Sequence, residues 1–330
     1  MFLRNQWYAA ALPAEIGGTP LARTICGEPI VFYRAGDGAP VAMEDRCPHR
    51  FAPLSKGKLK NGLIECAYHG LTFAADGRCV RIPGQASIPP RARVRTYPLV
   101  ERWGWAWIWI GDAERADEAL IPPFKWFDDP EWRGFHLYFH VPANWQLFAD
   151  NLLDLSHTSF IHANSIGNPE TAEIPLKTWV EGDRVLNQRV MHQVTPGPFV
   201  RGWGNFRDKI DRVSITEWRP PAHISVEARF EDATNKIVVM VVNPITPETE
   251  TTTHFWMGWS RNFLLDDPAF TERARAENTG ILQEDIDIIV AQQRIIDRNP
   301  NDRMLPINAD AALIEARKIV DRLLASQHGA

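Results

Sequence analysis

The chain has 330 residues, 45% of them hydrophobic and 23% charged, with a formal net charge of −5 at pH 7. These values exclude a disordered chain, a collagen-like repeat and a coiled coil, and the length predicts two domains that each bury a core. The acidic balance argues against a nucleic-acid partner, which selects a basic surplus.

Trp7-Tyr8, followed by acidic Glu15, reads as the first strand of a folded domain rather than a leader. Short apolar runs then alternate with turns: Pro29 to Tyr33, the turn Gly36-Asp37-Gly38, Val41-Ala42-Met43, and further turns at Asp76-Gly77 and Pro83-Gly84. Strands this short and this regularly interrupted predict an all-β domain. Residues 103–110, WGWAWIWI, are the most apolar run; they fall far short of the ~18–20 residues that cross a bilayer and predict a buried strand. The switch to charged residues at 111–118 sets the expected boundary, giving domains 1–112 and 113–330.

The second half mixes helical periodicity at 145–157, 271–297 and 310–326 with strand-like segments at 184–191, 224–230, 237–242 and 251–259. In the last helix Leu313, Ile319, Val320 and Leu323 share one face, with Glu315, Arg317 and Lys318 opposite. The expected fold is therefore α+β and multidomain, an all-β domain followed by strands and long helices around a cavity. Nothing predicts a membrane partner. Four cysteines are too few for a disulfide scaffold at this length, so a cytoplasmic setting is expected, with Cys26 and Cys79 as plain buried thiols.

The other two cysteines belong to a pattern. Cys47-Pro48-His49 and Cys66-Ala67-Tyr68-His69 form C-x-H and C-x-x-H halves, sixteen residues apart. Two thiolates and two imidazoles on loops suit either tetrahedral zinc or an iron–sulfur cluster, although C-x-H is unusual spacing for zinc. Through C-P-H-R and C-x-Y-H-G the segment resembles a Rieske domain, with Cys47, Cys66, His49 and His69 as the implied cluster ligands. Arg50-Phe51-Ala52 and Ala67 stand where high-potential Rieske proteins carry extra cysteines, so the resemblance is to the oxygenase and ferredoxin type.

A second constellation follows. Asn151, Asp154 and His157 recur every three residues and would share a helix face. His162 is off-phase, so the helix is expected to end or loosen between the two histidines if both are to reach one ion. Two His and one carboxylate make the facial triad of non-haem Fe(II) oxygenases. D-x-x-H-x4-H downstream of a Rieske motif resembles the Rieske non-haem iron oxygenases, whose third ligand is an acid on a late helix. Gln283-Glu284-Asp285-Ile286-Asp287 supplies one, with Asp285 expected to join His157 and His162, and Asp287 and Glu284 as alternatives. The resemblance further implies that Asp154 bridges a Rieske histidine of one subunit to an iron histidine of the next. Asn151 is expected beside the iron.

Within that family the chain is most similar to vanillate O-demethylase oxygenase components and dicamba-type demethylases, through Asn5-Gln6-Trp7-Tyr8, CPHRFAPL at 47–54, HANSIG at 162–167, ITPE at 245–248, SRNF at 260–263, EDIDIIVAQQR at 284–294 and Ile319 to Leu324. The resemblance implies a helix-grip-like catalytic domain with a curved antiparallel sheet, a [2Fe–2S] cluster, mononuclear Fe(II) and a homotrimer. The implied activity is O-demethylation of a methoxybenzoate such as vanillate with O2, releasing formaldehyde. Ring or side-chain hydroxylation of another aromatic acid is the alternative, and an electron-transfer or ligand-binding protein without mononuclear iron is a third reading. The chain holds no G-x-G-x-x-G dinucleotide fingerprint, so a separate flavin and iron–sulfur reductase is expected to deliver electrons from NADH. For the aromatic acid itself, Asn243 is the first candidate contact, ahead of His192 and Arg201; His136 and His140 read as ordinary strand residues.

Overall fold

The computed structural model describes residues 1–328. By contacts the chain forms two compact units, Phe2–Ile121 with Thr246–Thr249, and Pro122–Ile245 with Glu250 onward. The division falls after Ile121 rather than after Asp112, because the charged stretch forms short 3-10 turns: Asp112 and Asp117 accept from Glu114 N and Ala119 N, and Trp7 Nε1 donates to the Asp117 carbonyl.

The first unit is built of three small antiparallel sheets. Trp105–Ile110 lies between Gln6–Ala11 and Leu99–Arg102; Leu21–Ile25, Glu28–Arg34, Pro40–Glu44 and Thr96–Tyr97 form the second; Lys58–Lys60, Leu63–Glu65, Thr72–Phe73 and Cys79–Arg81 form the third. All six residues of Trp105–Ile110 are buried, which explains why that run is continuously apolar rather than alternating. Its start two residues later than the apolar run reflects the turn at Trp103-Gly104, both with positive φ. The third sheet sits on a core that includes Cys47, Leu54, Ile64, Cys66 and Phe73.

The second unit is a seven-stranded antiparallel sheet in the order Arg133–Val141, Thr253–Arg261, Lys236–Pro247, His223–Glu231, Ile210–Arg219, Arg184–Val194, Lys177–Glu181. Four helices accompany it: α1 (Trp145–Leu153), α2 (Pro198–Gly204), α3 (Pro268–Arg298) and α4 (Ala311–His328). Every residue of Thr253–Arg261 is buried, whereas Ile210–Arg219 alternates buried and half-buried positions. Helix α3 starts at Asp267, whose side chain accepts from Phe270 N, with Pro268 in the first turn where its missing N–H costs nothing. Its buried stripe recurs at intervals of one to four residues through Phe270, Ala274, Asn278, Ile281, Leu282, Asp285, Ile286, Ile289 and Gln293. Asn278, Asp285 and Gln293 are the polar members of that stripe, and Asp285 is its one carboxylate.

The sequence reading of a single helix over 145–157 needs correction. Helix α1 ends at Leu153; Asp154 leaves helical geometry at φ −115° and ψ 95°, and its side chain accepts from Ser156 N to start a 3-10 segment, Leu155–Ser159. The α-helix thus ends before His157, and the 3-10 segment that carries His157 ends in turn at Ser159, between the two histidines. No helix among the described residues is long and apolar enough to cross a membrane.

Candidate metal centres and substrate cavity

Two loops of the first unit close in the same way. The Cys47 carbonyl accepts from Phe51 N at 2.9 Å and Cys47 N donates to the Ala52 carbonyl at 2.9 Å; the Cys66 carbonyl accepts from Gly70 N at 3.0 Å and Cys66 N donates to the Leu71 carbonyl at 2.8 Å. The fifth residue of each loop is left-handed, Phe51 at φ 59° and Gly70 at φ 69°. At Gly70 glycine takes this conformation without strain and also spares a tight contact, since a Cβ there would come 3.1 Å from Pro83 Cγ.

This closure buries both cysteines, at 1% and 2% exposure, and leaves His49 and His69 on the surface with ring centroids 4.6 Å apart. Burial pushes the Cys47 thiol up to about 11, and the neighbouring Cys66 adds to the effect, so the Cys47 sulfur becomes a thiolate at neutral pH only beside a cation. Buried sulfurs beneath exposed imidazoles fit a two-iron cluster with one iron inside and one facing solvent. No disulfide joins any of the four cysteines. Cys26 pairs with Tyr8 away from these loops, whereas Cys79 packs in the same core as Cys47 and Cys66 and donates to the Arg81 carbonyl.

In the second unit His157, His162 and Asp285 come together, one ligand atom of each lying within 4.8 Å of the others. Hydrogen bonds fix both imidazole tautomers. His157 Nδ1 lies 2.6 Å from the Asp154 carbonyl oxygen, which only accepts, so Nδ1 carries the proton. His162 Nδ1 lies 2.7 Å from Glu284 Oε2, with the same consequence. In neutral rings both Nε2 lone pairs remain, and both face the same carboxylate: His157 Nε2 is 3.6 Å and His162 Nε2 3.2 Å from Asp285 Oδ1. Asn151 Nδ2 donates to that oxygen at 3.1 Å and holds the carboxylate in place.

Lone pairs converging on a carboxylate repel unless a cation lies among them, so the donor set fits a divalent ion with two nitrogen ligands and one oxygen ligand. Protons respond to the same field. Burial lowers the proton affinity of His157; for His162 burial acts the same way, but Asp285 and Glu284 overcome it and raise the net value. The loop around His162 is tight: its carbonyl accepts from both Ser165 N and Gly167 N, and a Cβ on Gly167 would lie 2.0 Å from the Thr158 carbonyl oxygen.

His157, His162 and Asp285 also line a cavity of about 110 Å³. Sheet residues Val239, Val241, Met257 and Trp259 form an apolar wall, and Asn278, Ile281 and Leu282 of α3 face it. Asn243 lines the cavity; it is fully buried and neither its Oδ1 nor its Nδ2 has a hydrogen-bond partner among the described residues.

Other expectations fare differently. His192 is a surface residue paired with Asp211 at 3.2 Å, and Arg201 donates to the Phe206 and Arg207 carbonyls at the end of α2, so neither reaches the cavity. Asp287 is exposed and accepts from Gln283 at 2.7 Å, while Glu284 orients His162 from outside. Sequence reasoning missed Arg212, a buried cavity residue. Its signal was the alternation of 210–219, in which Arg212, Ser214 and Thr216 fall in step with Ile210 and Trp218.

Paired sulfur and imidazole loops on one unit, and a tautomer-locked three-ligand pocket on the other, define a Rieske-type non-haem iron oxygenase. Residues 6–98 match the Rieske [2Fe-2S] domain, and residues 141–326 match the vanillate O-demethylase oxygenase C-terminal domain. The chain belongs to the vanillate O-demethylase oxygenase family of Rieske-type monooxygenases.

It is 39% identical to the vanillate O-demethylase oxygenase subunit of Pseudomonas sp. (strain HR199 / DSM 7063), covering 100% of this chain and 97% of that one. It is also 39% identical to a putative toluene-4-sulfonate monooxygenase system iron-sulfur subunit of Comamonas testosteroni, covering 100% and 99%. Among solved structures, dicamba monooxygenase bound to 3,6-dichlorosalicylic acid superposes with a TM-score of 0.94 at 32% identity, covering 100% of this chain and 99% of that one; the same oxygenase has been solved with non-haem iron and dicamba. The cofactors are a [2Fe–2S] cluster and mononuclear iron, which sets aside both the zinc reading and the electron-transfer reading. As the oxygenase component of a multicomponent system, the protein works with a separate reductase on an aromatic substrate.

Proposed function

We propose that this protein is the terminal oxygenase of an aromatic O-demethylase acting on a methoxylated benzoate of the vanillate type. The observation that carries the reading is the pair of locked imidazoles facing Asp285 at the wall of a small apolar cavity. In balance, Ar–OCH3 takes up O2, two electrons and two protons; one oxygen enters the methyl C–H bond and the other leaves as water. The resulting hemiacetal collapses to the phenol and formaldehyde.

His157, His162 and Asp285 would hold the mononuclear iron, and Cys47, His49, Cys66 and His69 the cluster. When bound, the iron supplies O2 activation with electrons relayed from the cluster. The chain's own residues do the rest. Asp154 fixes the His157 ring through its carbonyl and starts the 3-10 segment through its side chain. In the functional assembly, which we take to be a homotrimer, that carboxylate would also accept a neighbouring subunit's Rieske histidine and so link the two metal sites. Asn151 steadies the iron carboxylate, and the apolar walls exclude water that would drain the oxidant. A flavin and iron–sulfur reductase would bring the electrons from NADH, in the cytoplasm, where Cys26 and Cys79 stay reduced.

The equal identity to a toluene-4-sulfonate monooxygenase subunit favours one second reading, hydroxylation of a ring substituent without demethylation. Incubating the holoenzyme with a compatible reductase, NADH and a panel of methoxybenzoates and arenesulfonates separates the two. Formaldehyde in equal amount to a phenolic product supports demethylation. A hydroxylated product without formaldehyde overturns it.

A further inference from the structure

We propose that Arg212 is the receptor for the anionic head of the aromatic substrate. The inference deepens the function proposed above and rests on it for the aromatic character of the ligand. Arg212 lies on the inner side of Ile210–Arg219, 6% exposed, and shares the cavity with His157, His162 and Asp285. Its only hydrogen bond to a described residue is a long one, Nε to Ser214 Oγ at 3.3 Å; the rest of the guanidinium lies 5.4 Å from the Phe230 ring centre.

No carboxylate among the described residues pairs with it. Asp285, the one acid in the cavity wall, is committed to Asn151 and the two histidines. The charge that acts on it is Arg189, of the same sign; burial and that neighbour pull Arg212 down to about 10, which leaves it a cation at neutral pH. Arg189 has its own partners, the Ile174 carbonyl and Ser156 Oγ.

A buried guanidinium without a counter-charge opposes folding, and the penalty disappears when a ligand supplies the anion. A carboxylate or sulfonate on an aromatic ring does so with two parallel oxygens matched to the guanidinium fork, while Phe230 takes up the ring beside it. Sheet register separates this cation from Asn243: Arg212 pairs with Phe230 on the adjacent strand, and Asn243 with Ile224 of that same strand. The cavity is thus polar at two separated points, a cation at one and an unpartnered amide at the other, which suits an acid with a neutral polar substituent across the ring.

The test uses the iron-loaded holoenzyme and isothermal titration with a methoxybenzoate, its methyl ester and an arenesulfonate, so that turnover is not required. Wild type is expected to bind an acid over the ester. Arg212→Met should weaken the acid by roughly 10- to 100-fold while changing the ester little, and Arg212→Lys should recover part of the loss. Without ligand, Arg212→Met should melt at or above the wild-type temperature, since it removes an uncompensated buried charge. Equal losses for acid and ester, a wild type indifferent to charge, or a lower melting temperature with the acid preference intact would each overturn the proposal. Failure of demethylation alone shows as missing formaldehyde and leaves this preference readable.

Discussion

His162 shows how much of a metal site is set by atoms that never touch the metal. Its Nδ1–H is held by Glu284, which is itself partly open to solvent, and this one bond leaves Nε2 facing Asp285. Glu284→Ala should therefore lower affinity for the mononuclear iron about 10- to 100-fold, read by iron titration, while the visible spectrum of the cluster is unchanged. Asp154 separates two roles that one residue combines. Asn serves as well as Asp at the start of a helical turn, and the contact to His157 comes from the backbone, so Asp154→Asn should retain both metals and the wild-type melting temperature. Its turnover should nevertheless collapse if the carboxylate carries electrons between subunits, and preserved turnover would remove it from that path.

Among the elements, the segment after His162 is tied down by Glu170. This carboxylate accepts from Lys209 Nζ at 2.8 Å, Thr195 Oγ1 at 3.0 Å and Thr195 N at 3.2 Å. Burial alone would raise its pKa; these partners overcome that and hold it at about 2, below the ordinary 4.5. A depressed carboxylate contributes stability above its unfolded value and loses it on acidification. The melting-temperature gap between wild type and Glu170→Gln should be full at pH 7 and shrink as pH falls from 4.5 toward 2; a gap independent of pH would show that the ion pair is not its source. The helices and strands were themselves largely legible: the apolar stripe of α3 and the run 103–110 are local patterns that the fold keeps. The end of α1 was not, because Asp154 is compatible with a helix interior as well as with the local capping bond it makes to Ser156 N, and periodicity does not choose between them. Arg212 was only half legible: the alternation puts it in step with Ile210 and Trp218, but that phase does not say that the buried face lines a cavity.

Across the whole molecule, the histidines read from short spacings lie together, His49 beside His69 and His157 beside His162, and Asp285, to which the family resemblance pointed, joins the second pair, while the substrate contacts guessed from residue type mostly do not reach the cavity. Ligand spacing is short-range and survives folding; a cavity wall is assembled from strands far apart in sequence. Binding of iron to the native state alone also links occupancy to stability. Chelating the mononuclear iron should lower the melting temperature of the catalytic unit, the loss of stability growing with free iron in the comparison sample and reaching about 2.7 kcal/mol at a hundredfold excess over Kd; an unchanged melting temperature would mean that the three ligands hold their positions without it. The placement of Asp285 on the buried stripe of α3 has an evolutionary corollary. Sliding that helix by a single residue would present Glu284 or Ile286 to the histidines, so the helix is locked against adjustment. Divergence in what the enzyme attacks is left to the opposite wall, where Val239, Val241 and Met257 can exchange size and shape without disturbing the grip on the metal.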